Sequence, residues 1–162
     1  MFLAKKWALL ARNTALKACD LIAECIAIQV IVIHELLNNV LVSENLTDEL
    51  IKKSLQTRNH KIIVESYLIV STSLMNEREQ VKLLLRAYRF TNNDRAGSLQ
   101  PLLADLISQA LQKLNKHKWS SIFLYEAVRG YRYRALHDIS NLSISTVLID
   151  NKQGSLFRHF VG

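Results

Sequence analysis

One proline and four glycines in 162 residues leave this chain almost without backbone breakers. Proline fixes φ and removes a donor, and glycine supplies the positive-φ turns that close short strands. Turn-dense β-sandwiches, Gly-rich phosphate loops and dinucleotide fingerprints therefore lack their raw material. Helices joined by a few polar turns are the architecture this composition permits. Apolar residues make up 49% and charged residues 22%, as in packed globular domains, which argues against disorder and against a multi-span membrane protein. The length suits one domain over residues 1–162 with a real core. The expected fold is all-α, a bundle of about five or six helices.

The first nineteen residues hold Lys5, Lys6, Arg12 and Lys17 and no acid, a composition shared with organellar presequences. Leu3, Trp7, Leu10 and Thr14 at heptad spacing favour instead an amphipathic first helix buried along that seam. Residues 18–42 are the most apolar stretch. Asp20, Glu24, Gln29, His34 and Glu35 interrupt it, and each carboxylate would cost about 2.5–3.5 kcal/mol at mid-bilayer, so no membrane span is expected. A helix enclosed by neighbours, with Asp20, Glu24, Glu35 and Asn38 as a narrow wet edge, fits better. A strand over 30–33 is the alternative, because that run is β-branched. Cys19 and Cys25 are six apart, on different helical faces, so they should not pair. Two buried thiols without a C-x-x-C or Cys/His cluster point to no metal, no cofactor and a reducing intracellular compartment.

Polar interruptions divide the remainder. Residues 43–47 turn into a helix expected to run from 48 to about 74. Asn76 caps the next, with Glu77 and Glu79 in its first turn, through Phe90. Residues 91–97 form a loop, after which Ser98 caps a helix carrying Pro101 in its first turn and Lys113, Lys116 and Lys118 at its close. Ser120 or Ser121 then caps a helix to about His137, buried along Leu124, Val128, Tyr131 and Ala135. Residues 146–149 and 156–161 flank a polar turn and read as a small β-hairpin or a docked tail.

Charge is unevenly distributed. Of 21 Lys/Arg and 14 Asp/Glu, nine of each lie in residues 1–81, so that half is formally neutral and the whole excess of +7 falls in residues 82–162. A field confined to one half suits an acidic partner: nucleic acid, anionic lipid or an acidic protein. Lys82, Arg86 and Arg89 recur at i, i+4 and i+7, placing three cations along one side of a helix. Arg129 and Arg132 do the same later, with Tyr125 one turn before and Tyr133 and Arg134 alongside; Lys113 and Lys116 lie between the two groups. Cations neutralise phosphates and aromatic rings stack on unpaired bases, which is the combination that RNA or single-stranded DNA requires.

Two short strings carry resemblances. Arg132-Tyr133-Arg134-Ala135-Leu136-His137 has the Arg-x4-His spacing and resembles the motif of the HEPN superfamily, helical bundles many of which are metal-independent ribonucleases. The resemblance implies a dimer in which paired Arg132 and His137 bind the scissile phosphate and move protons; the residue after the Arg, often polar in the family, is here Tyr133. Asn141-Leu142-Ser143-Ile144-Ser145-Thr146-Val147 resembles the turn of a helix-turn-helix DNA reader, with Ser143 as cap, but His137, Ser140 and Asp150 occupy positions that should be small or apolar. The leading expectation is a non-enzymatic RNA- or single-strand-binding protein, a homo-oligomer in which several basic faces line one surface. A helical module for an acidic protein partner is the alternative.

Overall fold

The computed structural model describes residues 2–92 and 97–141. The chain divides into two compact units, Met1–Arg129 and Gly130–Gly162. Among the described residues the structure is entirely helical, with no strand: α1 Phe2–Lys17, α2 Leu21–Leu37, α3 Glu44–Gln56, α4 His60–Ser73, α5 Glu77–Arg89, α6 Gln100–Lys113 and α7 His117–Asn141, with single 3-10 turns at Phe90–Asn92 and Gly97–Leu99. Of the second unit, residues 130–141 are described, all within α7. The expected hairpin over 146–161 lies outside the described residues.

Packing in the first unit follows chain order. α1 lies on α2, α2 on α3 and α4, α4 on α5, and α5 on α6. Ile28 and Val32 of α2, Leu50 of α3 and Val70 of α4 close one core. A second core joins α4, α5 and α6 through residues such as Val64, Leu84, Leu103 and Ile107. Each such fully buried aliphatic side chain contributes about 1.5–3 kcal/mol.

Scarce glycine shapes the turns. α1, α2, α3 and α6 are each followed by a residue in the left-handed region, and the chain uses Cys19, Asn39, Arg58 and Asn115 there. After α1, α2 and α6 the next amide closes the turn onto a carbonyl five residues back: Asp20 onto Ala15, Val40 onto Glu35 and Lys116 onto Leu111, each at 2.9 Å.

The break after α3 corrects the single helix expected over 48–74. Arg58 adopts φ 53°, and the Asn59 side chain accepts from the amides of Lys61 and Ile62, starting α4. An N-cap asparagine thus ends one helix and begins another without any glycine or proline to mark the place. Asp20 similarly accepts from Ala23 N and separates α1 from α2, so the apolar run of 18–42 is not one helix.

Helix faces also differ from expectation. α1 docks through Ala8 and Ala15, while Leu3, Trp7 and Leu10 of the expected buried seam are exposed, Trp7 by 63%. Small alanines permit close approach, and Lys5 and Arg12 between them reach carboxylates on neighbouring helices. Of the wet edge expected on α2, Asp20 is exposed at the N-cap and Glu35 and Asn38 are half-buried, but Glu24 is internal. Glu24 is only 4% exposed, and it is Ile22, Ile26, Val30, Ile33 and Leu37 that face outward.

As expected, α5 is capped by Asn76, which accepts from Arg78 N and Glu79 N; the helix runs to Arg89, with Phe90, the expected last residue, at the C-cap. Ser98 does not cap α6: it sits in the preceding 3-10 turn and Leu99 takes the cap position, although Pro101 does fall in the first turn. α7 begins at His117, ahead of either serine proposed as its cap. Ser120 is buried instead, and Ser120, Phe123 and Ala127 form the inward line, leaving Leu124, Val128 and Tyr131 on an exposed flank. The reason is polar. Ser108 Oγ donates to the Ser120 carbonyl at 2.9 Å and Ser120 Oγ to the Ser108 carbonyl at 3.0 Å, a reciprocal pair that fixes the rotation of α7 against α6.

Candidate nucleic-acid interface

On α5 the buried residues Val81, Leu84 and Ala87 define an inner face. Arg78, Lys82, Arg86 and Arg89, at i, i+4, i+8 and i+11, lie opposite, and all four are exposed. Eleven residues of helix make a ridge about 16 Å long. Lys82 Nζ is 2.6 Å from Glu79 Oε1, with both side chains more than half exposed. Such a pair contributes about 0–1 kcal/mol and a phosphate can displace it. Arg78, Arg86 and Arg89 have no carboxylate at ion-pair distance among the described residues.

The remaining candidates in the first unit are also surface groups. Lys113 is exposed in the last turn of α6, beside a shallow cleft of about 60 Å³ between α4, α5 and α6. Substrate pockets run to about 300–1,000 Å³, so this cleft offers no room for a small-molecule reaction. Lys116 and Lys118 flank the N-terminus of α7, where the helix dipole is already positive and the potentials add. Opposite the inward line of α7, Lys118, Ile122, Tyr125 and Arg129 repeat at i, i+4, i+7 and i+11, with the Tyr125 ring 65% exposed. Arg129 has Glu126 as a neighbour at 3.5 Å on the surface.

The structure therefore gathers Lys82, Arg86 and Arg89 on one ridge, and Tyr125 and Arg129 on another. Sequence reasoning missed two members, Arg78 and Lys118. Both continue the same four-residue spacing, but Arg78 had been counted with the neutral half. In the second unit Arg132 and Tyr133 are exposed, while the side chains of Arg134 and His137 lie outside the described residues. The helix-turn-helix string begins at Asn141, the last described residue, and α7 is still helical there.

The cations of the first half are differently employed. Lys5 Nζ meets Glu35 Oε1 at 2.9 Å, and Arg12 binds Glu49. Lys53 Nζ lies 2.8 Å from Glu24 Oε1 but outside hydrogen-bond angles, so this contact is Coulombic rather than directed. Arg12, Glu24, Glu49 and Lys53 together form a neutral quartet joining α1, α2 and α3. Beside it the Cys25 thiol is pushed up to about 11 by burial, with Glu24 adding to the effect, so it is an inert core group. Cys19, expected to be buried, is exposed in the turn after α1; both thiols are free.

No cluster of three or more metal-ligating side chains occurs among the described residues, and no helix among them is long and apolar enough to cross a membrane. Comparison of the chain with protein-family models, curated proteins and solved structures finds no match.

Proposed function

We propose that this is a non-enzymatic, homo-oligomeric protein that binds RNA or single-stranded nucleic acid through the basic faces of α5 and α7. The observation carrying this reading is the α5 ridge of Arg78, Lys82, Arg86 and Arg89: four exposed cations spaced about one turn apart, held by one weak surface pair. Neighbouring cations on such a ridge are about 5–6 Å apart at Cβ, and long flexible side chains can follow an irregular backbone. Exposed Tyr125 beside Arg129 supplies a stacking surface of the kind unpaired bases use. A protein carrying such a ligand from its host would show a raised 260/280 nm absorbance ratio on purification.

The deciding experiment is a salt titration of binding to an unstructured RNA oligomer. Replacing Lys82, Arg86 and Arg89 together by Ala should weaken binding for every sequence alike and flatten the log K against log salt slope by about 0.7–0.9 per lost phosphate contact. Tyr125→Ala should instead lose about 1–3 kcal/mol at nearly unchanged slope. Lys6, Lys17 and Lys52, exposed in the neutral half, are the control triple. Equal losses in control and test triples would reduce the effect to bulk charge and overturn the proposed surface. Absence of RNA and single-strand affinity near physiological salt would transfer the basic faces to an acidic protein, and RNA cleavage lost in both Arg132→Ala and His137→Ala would make the protein an enzyme.

A further inference from the structure

The α1–α2 hairpin leaves its outer face apolar. On α2, Ile22, Ile26, Val30, Ile33 and Leu37 follow one another at spacings of four, four, three and four, and each is at least 39% exposed. That spacing is the seam of a helix packed against other helices. Leu3, Trp7 and Leu10 form a matching exposed row on α1. A groove between the two helices, lined by Trp7 and Leu10 of the α1 row with Ala11, Ala15 and Ala23 and edged by Asp20, adds to this face; Ala23 is the neighbour in sequence of Ile22, where the α2 row begins. The α2 row spans about 22 Å, and two adjacent helices are about 20 Å across, giving a face of roughly 440 Å² in outline. That is the size of the largest apolar patch on a typical monomer, which is often functional at about 300–600 Å².

Charge identifies the occupant. Through Leu37 the hairpin carries four Lys/Arg and three Asp/Glu, and two of the cations, Lys5 and Arg12, are held by Glu35, Glu49 and Glu24. An anionic lipid surface or an acidic partner would need free cations around the apolar rows, and only Lys6 and Lys17 supply them. A nearly neutral face is compatible with itself, and a two-fold axis sets each such face against its copy. We propose that this face is the contact between two copies of the chain, the two hairpins forming an antiparallel four-helix interface. α1 packs on α2 and α2 on α4, whereas the basic helix α5 packs further along the chain order, against α4 and α6, so pairing at α1–α2 leaves the α5 ridges of both copies open. Specific interfaces bury about 800 Å² per partner, so an outline of this size predicts a dimer that dissociates on dilution.

Sedimentation of the full chain without nucleic acid, over a range of concentrations, tests this separately from the ligand proposed above. The wild-type protein should be a dissociable dimer. Ile26→Glu, at a half-exposed position, should raise the dimer dissociation constant about thirty-fold with an unchanged far-UV circular dichroism spectrum. A second variant, Val30→Cys with Cys19→Ser, alters little volume and should give a disulfide-linked dimer on oxidation, because Val30 sits midway along the row. A wild-type monomer at every concentration, or a dimer indifferent to Ile26→Glu and uncrosslinked through Val30→Cys, overturns the proposal. So does a monomer whose fluorescence, read in a Trp119→Phe background that leaves Trp7 alone, shifts on adding phosphatidylserine vesicles, which would assign the face to a membrane surface.

Discussion

Lys5, Arg12 and Lys53 each reach across to a carboxylate on a different helix, whereas the ion pairs of α5 and α7 join residues three apart on the same exposed surface. The first arrangement uses charge as an adhesive between helices, and its partners are partly or wholly withdrawn from water. The second holds nothing together. Lys82 and Arg129 are each more than 60% exposed, and their pairs can open at little cost. Three of the nine cations in the neutral half thus have a structural role, because Lys5, Arg12 and Lys53 are used in assembling α1, α2 and α3. The basic half keeps a surplus that no internal acid matches.

The largest effect should come from breaking the adhesive. Glu24→Gln removes the buried charge at the centre of the quartet while keeping its shape, leaving Arg12 and Lys53 with Glu49 alone. Removing one partner of a buried pair costs about 3–5 kcal/mol, and the partial exposure of both cations puts this case nearer the lower figure. Arg86→Ala, on the outer face of α5, should change stability by less than about 0.5 kcal/mol. Urea unfolding of the two variants measures both. Similar losses would show that the two populations of charge do not differ in role.

The helices that carry the basic surface are anchored by neutral contacts, and a smaller effect distinguishes them. Ser120→Ala removes one arm of the reciprocal bond between α6 and α7 and should cost about 1–1.5 kcal/mol. Because no charge is involved, the loss should be the same in low and high salt, while that of Glu24→Gln should shrink as salt screens the cations at the quartet's edge. A salt-dependent Ser120→Ala loss would mean that α7 is positioned by its charges after all.

The all-helical class was readable because scarce glycine and proline leave helix as the economical solution, and the Asn76 cap because its neighbours Glu77 and Glu79 suit the same helix end. Which face turns inward was not. For α1 and α7 the longest apolar rows, Leu3-Trp7-Leu10 and Leu124-Val128-Tyr131, lost to Ala8 with Ala15 and to Ser120 with Ala127. In each case a polar bond between distant residues decided the rotation: Lys5 with Glu35, and Ser120 with Ser108. Partners 30 and 12 residues away cannot be recognised from local periodicity. The α5 ridge was readable because a solvated face needs no partner and its spacing alone defines it.

Arg58 provides the smallest test, because it is a cation of the neutral half that is exposed and takes no part in the ion pairs joining its helices. It occupies the left-handed region at φ 53°, where a side chain with a Cβ is disfavoured by about 1–2 kcal/mol relative to glycine. Glycine also gains freedom in the unfolded chain, which offsets about 0.4–1 kcal/mol of that relief. Arg58→Gly should therefore stabilise the protein by up to about 1.5 kcal/mol, and Asn39→Gly by less, since asparagine tolerates this conformation. RNA affinity should stay within about twofold of wild type, because Arg58 belongs to neither the α5 nor the α7 ridge and in the proposed surface makes no phosphate contact. Thermal unfolding and the salt titration read the two outcomes. A clear loss of RNA affinity in Arg58→Gly would extend the binding surface from α5 and α7 to the turn between α3 and α4 and end the division drawn between the two regions.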